Sequence, residues 1–155
     1  MLQRISFLLL IILSFSQSSL AQNKPRNLIF AEFGGNGLFL SANYERYFTD
    51  NISLRTGFGA YLFFVEYYSF PVMFNYTFDL PIEIGIGIVP FSGTNYDGTN
   101  DSFFGKNGGT TLIMTTIGFK RINKNIVVRF SFTPFYNPND SKVKMYGGLS
   151  VGLAF

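Results

Sequence analysis

The 155-residue chain contains no cysteine, no histidine and no tryptophan. Without cysteine there can be no disulfide, no thiolate metal site and no lipid anchored on a cysteine after a leader. Without histidine, the chain lacks the side chain that titrates nearest neutral pH, the usual general base and the partner in Ser-His nucleophiles. Charge is also sparse, at 14% of residues, and no dense Lys/Arg cluster occurs. A net charge of +3 spread over so few groups gives no argument for nucleic-acid binding. Beyond the first residues, no stretch shows a convincing helical period.

What the chain has in abundance is aromatic side chains, 19% of residues, with 20 Phe and 9 Tyr. That exceeds what a small soluble core needs and suits a surface facing lipid. The first residues read as a secretory signal peptide. Met1 to Arg4 is positively charged, Phe7 to Phe15 is almost wholly apolar, and Ser19-Leu20-Ala21 is a small-x-small cleavage site before Gln22. The apolar run stops at Ser16, short of the roughly 20 residues that a spanning helix needs. The expected organisation is therefore a cleaved leader at residues 1–21 and one domain at 22–155. Losing Arg4 with the leader reduces the 12 Lys and Arg to 11, against 9 Asp and Glu.

The domain divides into alternating segments separated by turn signals. Strands are predicted over residues 27–35, 38–48, 52–63, 70–78, 82–89, 110–120, 126–135 and 144–155, and Asn36-Gly37 reads as a hairpin turn because both residues tolerate positive φ. Connections after the second, fourth and sixth segments are short, whereas those at 64–69, 91–109 and 136–143 are longer. An even number of strands, with both termini at the short-turn end, is the layout of a transmembrane barrel. Segment lengths of roughly 9 to 12 residues match a tilted bilayer crossing.

Period-2 alternation alone does not distinguish a membrane barrel from a soluble one, and the small residues break the tie. One face carries Ile82, Ile84, Ile86 and Ile88, Phe74 and Phe78, and Val128, Phe130 and Phe132. The other carries Gly57, Gly59, Gly85, Gly87, Gly118, Gly148 and Gly152. Glycine weakens a solvated strand face but suits a narrow lumen, so the glycine face is expected inside. Glu32, Glu45, Arg55, Glu83, Lys120 and Arg129 fall on that face and are expected to form an internal ionic network. Arg46 falls outward, where it is expected to reach the headgroups near Thr49. Phe48, Phe78, Phe119 and Phe155 also fall outward, each near a strand end on the short-turn side, as an aromatic girdle would.

With Ser41-Ala-Asn-Tyr-Glu-Arg46 and Phe70-Pro-Val-Met-Phe-Asn-Tyr76 as its most suggestive phrases, the domain resembles the small eight-stranded outer-membrane barrels of the OmpA/OmpX type. The resemblance implies an all-β, antiparallel, up-and-down barrel, monomeric, in the outer membrane of a Gram-negative cell. It implies contact with outer-membrane lipid and lipopolysaccharide, and handling by the barrel-assembly machinery, which reads a final strand such as Met145 to Phe155 and its terminal aromatic. It implies no cofactor, no nucleic acid and no single activity, since fold alone does not give function. The barrel enzymes of this architecture, the lipid A acyltransferases and deacylases, the outer-membrane phospholipase and the omptin proteases, rely on a histidine that this chain lacks.

Recognition is expected in the loop at 91–109, where Tyr96, Phe103 and Phe104 are apolar for a loop tip and are candidates for contact with an extracellular partner. Asn95, Asp97, Asn100 and Asp101 miss the spacing of a Ca²⁺ loop and lack its closing glutamate, so no metal site is expected. The leading expectation is a non-enzymatic outer-membrane barrel with a structural or adhesive role. The alternative is a secreted, soluble, lipocalin-like barrel that binds a small apolar ligand, with Ile82, Ile84, Ile86 and Ile88 lining its pocket.

Overall fold

Each strand of such a chain puts successive side chains on opposite sides of its pleat, so alternation in sequence becomes a sheet with two unlike faces. The computed structural model describes residues 25–61, 65–95, 108–139 and 141–155. The leader assignment at 1–21 lies outside them. The strands are β1 (Asn27–Gly34), β2 (Leu40–Tyr47), β3 (Ile52–Tyr61), β4 (Val65–Ser69), β5 (Val72–Thr77), β6 (Ile82–Asn95), β7 (Gly108–Asn123), β8 (Ile126–Phe132), β9 (Phe135–Asn137), β10 (Lys142–Lys144) and β11 (Gly147–Ala154).

Three strands of the barrel are interrupted, β4 continuing as β5, β8 as β9 and β10 as β11, so the wall has eight strands in all. Two interruptions fall at Pro71 and Pro134, which have no N–H to give to a ladder. Their carbonyls still accept, from Gly57 N–H at 3.1 Å and from Thr115 N–H at 2.9 Å. Every pairing is antiparallel, and β11 returns to β1 with Leu28 opposite Ala154 and Gly34 opposite Gly148. Closure leaves the wall no edge.

The structure departs from the sequence-based expectation on the long-loop side. Residues 65–69 form β4, with Tyr67 opposite Tyr61 and Gly93, where a loop is expected. β6 runs on to Asn95, and β9 and β10 form a hairpin within the expected loop at 136–143. In each case strand pairing overrides the turn signal given by Pro, Gly or Asn.

The first connection departs further. Gly35–Gly37 forms a single 3-10 turn that folds into the barrel, with all three residues buried. Positive φ occurs at Gly34 (74°), Gly35 (62°) and Leu38 (73°), not at Asn36 and Gly37 as the hairpin reading expects. The turn fits because Gly148 has no side chain: a Cβ there would stand 2.6 Å from the Gly35 nitrogen.

Inside and outside differ sharply. Ile82, Ile84, Ile86 and Ile88 are 42–59% exposed on the outer wall, as are Phe74, Phe130 and Val151. The pocket that the soluble alternative requires of these four isoleucines is therefore not there. The interior has an apolar cluster at the end bearing the termini, made of Leu28, Phe30, Tyr47, Val127 and Ala154. A second apolar cluster, Leu38, Tyr67, Met73, Val89, Phe91, Leu112, Met114 and Phe135, fills the far half. Between them lie the charges.

Candidate functional site

Three acids and three bases meet in the lumen because each stands at an inward position of a different strand segment, Glu32 on β1, Glu45 on β2, Arg55 on β3, Glu83 on β6, Lys120 on β7 and Arg129 on β8. Five of them are fully buried, and Lys120 is 4% exposed. Arg55 pairs with Glu32 through Nη2. The other four form a ring: Lys120 Nζ lies 2.7 Å from Glu45 Oε1 and also pairs with Glu83, while Arg129 pairs with Glu45 and places Nε 3.1 Å from Glu83 Oε1. That last contact is an ion pair rather than a hydrogen bond, because the N–H is not aimed at the oxygen. With formal charges balanced, the cluster avoids the large penalty of a lone buried ion.

Neutral groups supply further partners. Arg55 Nε and Nη2 donate to Asn43 Oδ1 at 3.0 and 2.9 Å, and Ser150 Oγ donates to Glu32 Oε1 at 3.2 Å. Thr77 Oγ1 donates to Glu83 Oε2 at 3.3 Å. The inserted turn joins the network from above: Gly37 N–H donates to Glu32 Oε2 at 3.1 Å, and Thr116 Oγ1 donates to Asn36 Oδ1 at 2.9 Å. Aromatic rings flank the cations on the side of the termini. The guanidinium carbons of Arg55 and Arg129 lie 4.9 and 4.7 Å from the Phe30 ring centre, and Lys120 Nζ lies 4.9 Å from that of Tyr47, within cation-π range.

Chemically, this arrangement ties six strands of the wall together from within. Each carboxylate already accepts from a cation. Among the described residues, no group of three or more His, Cys, Asp or Glu converges as a metal site requires. A cavity of about 770 Å³ opens at the end bearing the termini, with Tyr47 and Lys120 among its lining residues.

The other residues singled out from sequence are placed as follows. Phe48, Phe78, Phe119 and Phe155 are 39–58% exposed on the outer wall, near the termini. Phe155 is tied to β1 by a two-way backbone pair with Asn27, at 2.9 and 3.0 Å. Arg46 is partly buried and donates to Asn27 Oδ1 at 3.3 Å. Tyr96, Phe103 and Phe104 lie outside the described residues. Sequence reasoning missed the apolar far half of the lumen, although inward-phased Met73, Val89, Leu112 and Met114 were visible in the same alternation that placed the glycines.

No family model matches the sequence, and no curated protein matches it. Among solved structures, the N-terminal β-barrel domain of Pseudomonas aeruginosa OprF aligns with a TM-score of 0.66 at 20% identity, over 86% of this chain and 98% of that one. The Yersinia pestis outer membrane protein Ail, whose backbone structure is in a phospholipid bilayer nanodisc, aligns with a TM-score of 0.53 at 12% identity, over 85% of this chain and 100% of that one. At such identities the likeness is one of fold, and the fold is the closed, eight-stranded, antiparallel barrel of small outer-membrane proteins of the OmpA/OmpX type.

Proposed function

We propose that the chain is a non-enzymatic integral protein of the outer membrane, with a structural or adhesive role exercised through its extracellular loops. One observation carries this reading: the barrel is inverted relative to a soluble protein. Six ionised groups are buried inside while Ile, Phe, Leu and Val side chains stand exposed around the wall. Monomeric soluble proteins rarely expose apolar patches larger than a few hundred Å², whereas a transmembrane barrel needs an apolar band about 25 Å tall. The fold shared with OprF and Ail agrees with this reading.

In this reading the short-turn end faces the periplasm. Phe48, Phe78, Phe119 and Phe155 sit at that interface, and the β11 strand with Phe155 serves as the assembly signal. The lumen, filled by side chains, makes the protein an anchor and not a general porin. Fractionation tests the assignment: the protein should stay with outer membranes until detergent releases it, and should run as a heat-modifiable band. Recovery from the periplasm without detergent would overturn it. Crosslinking in the native outer membrane, with residues 96–104 as the bait segment, would identify the partner.

A further inference from the structure

On the outer wall, the far ends of β6 and β7 break the pattern of large apolar side chains. Along β6 the outward positions run Ile82, Ile84, Ile86, Ile88 and then Pro90 and Ser92; along β7 they run Phe119, Ile117, Thr115, Ile113 and then Thr111 and Gly109. The small residues meet across the sheet. Tyr68 is opposite Ser92, Ser92 is opposite Gly109, and Pro90 is opposite Thr111. Phe70 joins the second row through its N–H, which donates to the Pro90 carbonyl at 2.9 Å. The result is a recess of about 460 Å³ with a floor of small and hydroxyl-bearing residues and a wall formed by Tyr68 and Phe70. Phe58 backs that wall, its ring centre 5.1 Å from Phe70 and 6.1 Å from Tyr68. Among the described residues, none that lines the recess carries a charge.

We propose that this recess holds the uncharged sugar headgroup of a membrane glycolipid, its ring against Tyr68 and Phe70 and its hydroxyls on Ser92 and Thr111. The assignment rests on the membrane reading above. Three features select the ligand. Exposed aromatic faces suit the C–H side of a sugar ring, while tyrosine keeps a polar tip toward water. The serine and threonine hydroxyls both donate and accept, as sugar hydroxyls require. The absence of charge in the lining disfavours a phosphate-bearing headgroup, which would call for Arg or Lys. The recess is also continuous with the lipid-facing isoleucines of β6, which places acyl chains directly below the headgroup.

The test reconstitutes the protein in nanodiscs of equal parts phosphatidylcholine and monogalactosyl diacylglycerol and counts lipids retained after transfer to mild detergent, by native mass spectrometry. The galactolipid should be retained roughly tenfold over phosphatidylcholine. Gly109→Val should abolish the preference by filling the recess; among the described residues a Cβ there meets only the Phe91 carbonyl, at 3.8 Å, an ordinary contact. Thr111→Val, which keeps the shape and removes a hydroxyl, should reduce the preference severalfold. Equal retention of both lipids, or an unchanged preference in Gly109→Val, would overturn the proposal. Failure to enter nanodiscs at all would overturn the membrane reading and this proposal with it, whereas entry without preference defeats the proposal alone.

Discussion

The two inner regions of this barrel solve the same packing problem with opposite chemistry. Around Glu45, Lys120, Glu83 and Arg129 the lumen is filled by charges that satisfy one another; around Leu38, Met73, Leu112 and Phe135 it is filled by apolar side chains. Both interiors are buried, yet they respond differently to loss of a single group. A buried ion ring depends on every member, because removing one leaves its partner charged and unpaired. An apolar cluster loses only the transfer energy and the cavity it gains. The inserted turn Gly35–Gly37 spans the two regimes, donating to Glu32 below and carrying Leu38 into the apolar cluster above.

The sharpest way to break the comparison is therefore to remove one carboxylate. Glu45→Ala strands Lys120 and Arg129 with Glu83 alone and should destabilise the barrel by about 3–5 kcal/mol, read from urea unfolding in lipid vesicles. Replacing Glu32 and Arg55 together, as Glu32→Gln with Arg55→Met, should be milder than Arg55→Met alone, since the double change strands no charge; a double-mutant cycle measures the difference.

In the apolar half, Leu112→Ala should lose about 2–5 kcal/mol, the range for buried leucines. On the outer wall, Ile84→Arg should lose about 2–4 kcal/mol if that position lies near the bilayer midplane, whereas a solvated wall would tolerate it within about 0.5 kcal/mol. The smallest effect is expected at Leu38→Gly. The backbone strain relieved at φ 73°, about 1–3 kcal/mol, offsets part of the roughly 2–5 kcal/mol of transfer and cavity energy lost with a buried leucine.

These two halves are not equally legible in the sequence. A charged residue at an inward-phased position is conspicuous, so the alternation alone picks out Glu32, Glu45, Arg55, Glu83, Lys120 and Arg129, and the outward placing of Ile84 or Phe130 follows from the same phase. Met73, Val89, Leu112 and Met114 share that inward phase but are less conspicuous, because a large apolar residue signals lumen filling only once the phase has been fixed by the charges and glycines. β4 is obscured by Pro71, which marks a break in a strand as readily as the end of one. The inward fold of Gly35–Gly37 depends on contacts with β7 and β11, such as Thr116 with Asn36 and the close passage at Gly148, and no local pattern encodes those.

Because the chain has no cysteine, single cysteines can be introduced one at a time along β6 and spin-labelled without background. Collision rates with oxygen, which concentrates in the bilayer, and with a water-soluble nickel chelate should be measured at residues 82–89 in lipid vesicles. Oxygen accessibility should peak at 82, 84, 86 and 88 and fall at 83, 85, 87 and 89. Peaks at the odd positions, or nickel reaching position 84 as readily as oxygen does, would contradict a wall that faces lipid around a sealed ionic interior.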